Sequence, residues 1–278
     1  MQRNDVPSAM ELSIAANWNQ TPEDWHCVLQ LFEGGCRCIE DAGKIVATAA
    51  LLPYDTTLGW IGMVLTRPEY RRQGLAKRLM EDAIANADRS HIRTLKLDAT
   101  DAGRPLYESL GFVVEDTVER WGRDGGEWIA AKQEGTASKA PSYSTQIDSD
   151  FLSRDVEAFG ADRKKLLESL SASGRCHATA NGYVLSRPGR TSQYLGPCVA
   201  GSAADARQLI ASHLEVEDHL GSDSRSWYWD LLSANPEAIR YAEQSGFTRR
   251  RTLWRMRRGE ALQNNDAMVY AIAGFELG

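Results

Sequence analysis

The sequence predicts an α/β (α+β) protein built from two similar domains, each a mixed, mostly antiparallel central sheet flanked by helices. Three observations lead there. Apolar periods of strand type and of helix type alternate along the chain. A stretch at 132–146, KQEGTASKAPSYSTQ, is polar, rich in small residues and without apolar period, which is linker composition. The two halves it separates also resemble each other: YESLGF at 107–112 returns as AEQSGF at 242–247, an offset of 135 residues. One repeat of this kind points to a duplicated domain rather than a solenoid, which needs three or more units. The expected division of the 278 residues is 1–131, a linker at 132–146, and 147–278.

Taken in order, residues 11–15 read as a short strand. Thr21-Pro22-Glu23 opens a helix through Leu31, with Thr21 as N-cap and Pro22 at the first helical position. Residues 36–39, 45–53 and 59–66 read as strands, with turns at Asp41-Ala42-Gly43 and Tyr54-Asp55-Thr56. Leu75, Leu79, Met80, Ala83, Ile84 and Ala87 then recur at helical spacing. In the strand at 94–99, Leu95 and Leu97 lie on one side and Lys96 and Asp98 on the other. A helix ending at Gly111 and a strand at 112–121 follow. In the second half, 193–200 and 227–231 are the corresponding strands, Ser202 starts a helix, and Asn235-Pro236 caps the helix that ends at Gly246.

Composition excludes several classes. A net charge of −6 gives no general positive field, so a nucleic-acid partner is not expected. The longest apolar run, 45–52, is far short of the ~20 residues that span a bilayer, and no membrane association is expected. Residues 1–9 show no apolar signal region. Five cysteines without a Cys-x-x-Cys pair fit a reduced, cytoplasmic protein, and the five histidines have no metal-ligand spacing, so no metal is expected. Six arginines crowd between Arg249 and Arg258. They read as a strand whose guanidinium groups face solvent or pair with acids, with recognition of an anionic group as the alternative.

The most informative stretch is Arg71-Arg72-Gln73-Gly74-Leu75-Ala76. A strand leads through Arg67-Pro68-Glu69-Tyr70 into it, and an amphipathic helix begins inside it. Amides at a helix start lack internal partners, and the helix dipole adds positive charge there, so the junction is suited to phosphate. Gly74 and Ala76 allow close approach of a diphosphate, and Arg71, Arg72, Lys77 and Arg78 surround it with positive charge.

This stretch resembles motif A of the GNAT superfamily of N-acetyltransferases, Arg/Gln-x-x-Gly-x-Gly/Ala, with Ala76 as an accepted variant. Downstream, Leu97-Asp98-Ala99-Thr100 through Leu106-Tyr107 to Gly111-Phe112 resembles the family's motif B. The resemblance covers the first ~130 residues in architecture. It implies acetyl-CoA as cosubstrate, with backbone groups of Val64, Leu65 and Thr66 holding the pantetheine arm. The pyrophosphate would lie on the loop Arg71, Arg72, Gln73, Gly74, Leu75, Ala76 and Lys77. Tyr107 corresponds to the residue that protonates the departing thiolate, and Thr100 stands where the family commonly has a cofactor-bonding Asn.

A primary alkylamine, with a pKa near ~10.4, must lose a proton before it attacks. Some relatives use a Glu on the strand before motif A, but Trp60-Ile61-Gly62-Met63-Val64 carries no acid. Asp98 is the candidate that the strand pattern offers, beside an ordinary strand-end role. The second half has no phosphate loop, and Ala242 stands where Tyr107 stands in the first, although Asn235 lies at the family's Asn position. It reads as a degenerate GNAT-like copy without a turnover site. The expected protein is therefore a tandem GNAT enzyme, monomer or homodimer, moving acetyl from acetyl-CoA to a small-molecule primary amine. The competing reading is a non-catalytic acyl-CoA-binding regulatory module.

Overall fold

The structure, a computed structural model of the chain, describes residues 1–125, 147–217 and 226–278; the proposed linker at 132–146 lies outside them. A turn at Arg3–Asp5 precedes α1 (Val6–Ala15), α2 (Pro22–Leu31), β1 (Cys36–Asp41), β2 (Lys44–Pro53), β3 (Leu58–Thr66), α3 (Leu75–Arg89), β4 (Thr94–Ala99), α4 (Arg104–Ser109) and β5 (Val113–Arg123). The same order then recurs as α5 (Ser149–Phe159), α6 (Lys164–Ser173), β6 (Arg175–Thr179), β7 (Gly182–Arg187), β8 (Gln193–Ala200), α7 (Ala203–Glu217), β9 (Trp227–Leu232), α8 (Pro236–Gln244) and β10 (Thr248–Gly259). A short β11 (Val269–Ala271) follows. The duplication visible in one helix end thus extends from α1–β5 to α5–β10, with β11 as an addition of the second half. No described helix is long and apolar enough to cross a membrane.

Local chemistry explains most of these boundaries. Thr21 and Asp24 form a reciprocal capping box at the start of α2, with Pro22 at its first position. The exception is residues 11–15, expected as a strand and found as the second half of α1. Leu12 and Ile14 imitate a two-residue alternation, but Ile14 is 53% exposed, while Val6, Ala9, Met10 and Ser13 form the buried helical face.

The chain forms two compact units that interleave in sequence. One comprises Met1–Glu115, Leu253–Leu262 and Phe275–Gly278; the other comprises Asp116–Thr252 and Gln263–Gly274. The contiguous domains read from the sequence differ from these units because each half contributes its last strand to the other unit's sheet. In the first unit, β4 pairs antiparallel with β10 from Trp254↔Ala99 to Gly259↔Thr94. In the second, β5 pairs antiparallel with β9 from Val118↔Leu232 to Arg123↔Trp227. A last strand looks the same in sequence whichever sheet it joins.

Each exchanged strand carries a buried arginine in an equivalent setting. In the first unit, Arg255 Nε and Nη2 donate to Oδ1 and Oδ2 of Asp98, both at 2.9 Å, and the guanidinium lies 4.8 Å over the Trp60 ring. In the second, Arg120 donates to the two oxygens of Asp230 at 2.8 and 2.6 Å and lies 4.7 Å over Tyr228 and 5.2 Å over Tyr194. Truncating one member of such a pair leaves the other charge buried and uncompensated, at a cost of ~3–5 kcal/mol. Asp230→Ala should therefore lower the unfolding free energy by about that much. A loss below ~1 kcal/mol in urea denaturation would show that the pair is not what locks β5 to β9. Four more of the six arginines also follow the pairing reading: Arg249, Arg250, Arg257 and Arg258 contact Glu119, Asp124, Glu115 and Asp88.

Candidate active site

In the first unit β3 and β4 run parallel, but they pair only at Leu58↔Thr94, Gly59↔Leu95 and Trp60↔Lys96. Beyond Trp60 they part. The other edge of β3 remains on β2, with a bulge: Ala50↔Gly62 is followed by Thr48↔Leu65, so Met63 and Val64 oppose Ala49 alone. Met63 takes a positive φ of 52°, and its carbonyl accepts the Thr48 hydroxyl at 2.8 Å. Val64, Leu65 and Thr66 thus border the gap between β3 and β4. Backbone groups there that do not bond β2 can bond an extended, amide-bearing chain lying in the gap.

The gap leads to the start of α3. After a single turn at Pro68–Tyr70, Arg71 is extended, Arg72 has φ 59°, and Gly74 has φ 80° at the N-cap. The loop is tied back by Arg71 Nε to the Thr66 carbonyl at 3.3 Å and by Gln73 Nε2 to the Glu69 carbonyl at 3.2 Å. Among the described residues, none of the backbone amides of Arg72, Gln73, Gly74, Leu75, Ala76 and Lys77 has an acceptor. Left-handed residues alternating with others make successive amides converge, which forms a concave anion site, and the dipole of α3 adds to it. A Cβ at Gly74 would meet nothing within 4 Å, so the site is open there. Arg71, Arg72, Lys77 and Arg78 are exposed around it. Leu75 packs beside Leu79 on Ala47 and Ala49, which fixes the helix start against β2.

Tyr107 sits on α4, buried among Leu97, Ala99 and Met256, with its ring edge-on to Phe112 at 6.3 Å. Gly103 makes room for it: a Cβ there would lie 3.0 Å from Tyr107 Cε2. Burial pushes the Tyr107 hydroxyl up to about 12, so it carries its proton at neutral pH. No hydrogen bond of that hydroxyl is seen among the described residues, and burial is the one cause of its shift. Thr100 shapes the turn before α4, its Oγ1 accepting the Gly103 amide at 3.2 Å and its carbonyl accepting the Arg104 amide at 2.9 Å. Its hydroxyl hydrogen stays available for a ligand.

Asp98 does not join Tyr107. Strand alternation puts it on the opposite face from Leu97 and Ala99, and its side chain is closed to solvent with both oxygens on Arg255. A carboxylate so engaged can take an amine's proton only by breaking that pair. The geometry gives it a structural part, holding β10 on β4, in keeping with the strand-end role that the sequence also allowed it. A further acidic residue, Glu276, is brought beside β3 by the segment Phe275–Gly278, with no motif to announce it.

The second unit repeats the framework with a different interior. Parallel β8 and β9 again pair at three positions, Gln193↔Trp227, Tyr194↔Tyr228 and Leu195↔Trp229. Here the chain itself enters the gap. β11 pairs with β8 at Val269↔Val199 and Ala271↔Cys198, and the Ile272 amide bonds the Asp230 carbonyl at 3.0 Å. Asn235 Nδ2 donates to the carbonyls of Ala267 and Val269 at 3.1 and 2.9 Å, and Trp229 Nε1 donates to Tyr270 at 2.7 Å. Residues of the second unit that correspond to those bordering the gap in the first therefore hold a peptide strand.

Comparison with known proteins agrees with this geometry. The profile of the Acetyltransferase (GNAT) family matches residues 8–112, and that of an Acetyltransferase (GNAT) domain matches 152–271. An uncharacterized N-acetyltransferase of Bacillus subtilis, YitH, is 31% identical over 176 residues, spanning 61% of this chain and 60% of that protein. The structure of a putative acetyltransferase from Pyrococcus horikoshii superposes with a TM-score of 0.86 at 20% identity, covering 100% of this chain and 94% of that one. A tandem GNAT protein from the clavulanic acid biosynthesis pathway gives 0.66 at 15% identity, covering 92% and 95%. These two likenesses are of fold.

Proposed function

Since both halves of the chain belong to the GNAT acetyltransferase family, we propose that the protein is an acetyl-CoA-dependent N-acetyltransferase acting on a small-molecule primary amine, with one cofactor site per chain, in the first unit. What supports this reading is that β3 and β4 part beyond Trp60↔Lys96 and that, among the described residues, six successive amides at the start of α3 have no acceptor.

Each part of the gap has a task in that reading. The amides of Arg72 to Lys77 and the flanking cations bind the pyrophosphate, and Val64 to Thr66 align the pantetheine arm. That alignment holds the thioester carbonyl carbon where an amine can attack it, and fixing two reactants in attack geometry supplies a large share of the rate. As the C–S bond breaks, Tyr107 donates its hydroxyl hydrogen to the departing sulfur, adding roughly 10²–10⁴ in rate. Among the described residues of the second unit, β11 pairs with β8 beside β9, which supports a single cofactor site per chain.

None of the five cysteines is in a disulfide, which fits the cytoplasm, the location we propose. Burial pushes the Cys36 thiol up to about 12 and the Cys176 thiol to about 11, so neither serves as an acyl-carrying nucleophile. Release of free thiol from acetyl-CoA across a panel of aliphatic and aromatic primary amines tests the proposal. Amine-dependent release supports transfer. Binding of acyl-CoA without release over the whole panel would leave a regulator, and neither binding nor release would remove the reading altogether.

A further inference from the structure

We propose that Tyr70 and Asp41 are positioning residues for the diphosphate of acetyl-CoA: the hydrogen bond between them props the loop before α3 in the shape in which its amides converge. The inference rests on the reading of the first unit as an acetyl-CoA-dependent N-acetyltransferase. It adds to the loop's own amides and cations a pair of side chains that act on the cofactor only through the backbone.

The loop does not favour that shape by itself. Arg72 has φ 59°, which crowds its Cβ against the following carbonyl, so an arginine adopts it only where its surroundings impose it. The amides from Arg72 to Lys77, without acceptors among the described residues, bring their partial positive charges together. Until an anion arrives those charges repel, and water satisfies the amides equally well in an opened loop. A tie from outside the loop is needed to hold it.

Its root is held at Arg67. The Arg67 amide donates to the Val46 carbonyl at 2.9 Å, Nε to the Ile45 carbonyl at 2.8 Å, and Nη2 to Glu11 Oε2 on α1 at 2.6 Å. Beyond the root the ties are of two kinds. Arg71 Nε to the Thr66 carbonyl and Gln73 Nε2 to the Glu69 carbonyl run back along the same stretch of chain, so they shape the loop without anchoring it. The Tyr70 hydroxyl, in contrast, donates to Asp41 Oδ2 on β1 at 2.6 Å. Among the described residues this is the one hydrogen bond that ties residues 68–74 to an element other than β3 and α3.

Asp41 is a firm support. It ends β1 and pairs with Lys44 at the start of β2, across Ala42 and Gly43, which have φ 46° and 75°. Two left-handed residues in succession make the tight hairpin whose twist matches that of its strands. The carboxylate in turn holds the Tyr70 hydroxyl above its ordinary value, so the donor keeps its proton at neutral pH. Tyr70 closes the single turn at Pro68–Tyr70, and Arg71 and Arg72 follow directly. Fixing Tyr70 therefore fixes the point from which the converging amides depart.

Because each side chain acts through the other, the test is a double-mutant cycle read by calorimetric titration of the full chain with acetyl-CoA. If loss of the prop lowers the converging shape to roughly a tenth of the population, Kd rises about tenfold. Tyr70→Phe, which keeps the ring and removes only the hydroxyl, should show that rise, and Asp41→Ala a similar one. The double variant should bind no more weakly than either single one, because only one bond is lost. Asp41→Asn, which keeps an acceptor oxygen, should recover most of the affinity. S-acetylpantetheine, a donor without the diphosphate, separates this role from a general loss: in Tyr70→Phe its kcat/KM should stay within about twofold of wild type while that for acetyl-CoA falls. Absence of both acetyl-CoA binding and thiol release in the wild type would remove the underlying reading rather than this pair. Given wild-type binding, an unchanged Kd in Tyr70→Phe would overturn the proposal, as would additive losses in the double variant. Tighter binding in Asp41→Ala would overturn it too, because that marks a bare negative charge beside the site. So would an equal loss with S-acetylpantetheine, the sign of a general structural role.

Discussion

Replacing Gly74 with glutamate is expected to abolish acetyl-CoA binding while leaving the fold of the first unit in place. Two effects act in the same direction. Gly74 has φ 80°, a left-handed conformation that costs an L-residue roughly 1–2 kcal/mol. The added side chain would also project into the open space in front of the amides, carrying negative charge into a site that gathers donors for a diphosphate. The packing behind the loop, Leu75 and Leu79 on Ala47 and Ala49, is untouched. In thermal unfolding, wild-type protein should gain about 2.7 kcal/mol at a hundredfold excess of acetyl-CoA over Kd, and the variant should gain nothing. Equal stabilisation of the two would move the cofactor away from this loop.

The second large effect is expected at Tyr107. Phenylalanine fills the same buried space beside Phe112 and Leu97 but has no hydroxyl hydrogen, so the turnover number should fall by roughly 10²–10⁴ with little change in acetyl-CoA affinity. The pH dependence is specific. Burial raises this hydroxyl to about 12, so the protonated, active form persists throughout the range in which an exposed tyrosine would ionise near ~10. The wild-type rate should therefore not decline between pH 9 and pH 10.5 on account of this group. The same raised value makes it a reluctant acid, so it acts chiefly by hydrogen-bonding the sulfur as charge develops. An unchanged turnover number in Tyr107→Phe would remove it from the chemistry.

Most of the framework is legible in the sequence because local chemistry dictates it. The capping box at Thr21, the amphipathic period of α3 and the Gly74 junction are each specified within a few residues. The duplication is legible from YESLGF and AEQSGF for the same reason. What escapes such a reading is set by residues far apart in the chain. Arg255 and Asp98 face each other across strands from opposite halves, so alternation shows that Asp98 leaves the hydrophobic face but not that a guanidinium is waiting for it. Ile14 shows the converse limit, where an exposed apolar residue on a helix imitates a strand. The filling of the second gap by β11 has a single trace in sequence, Asn235 at the position where the family commonly has an Asn, here bonded to the Val269 carbonyl. Gly62 is the corresponding trace of Glu276, and an isolated glycine in a strand signals close approach of another backbone without saying whose.

The central claim is that one acetyl-CoA binds each chain, at the start of α3 in the first unit. Calorimetric titration of the full chain with acetyl-CoA measures this directly. The account predicts a single site per chain, with the heat lost in Gly74→Glu. Two sites per chain, or one site that survives Gly74→Glu, would contradict it.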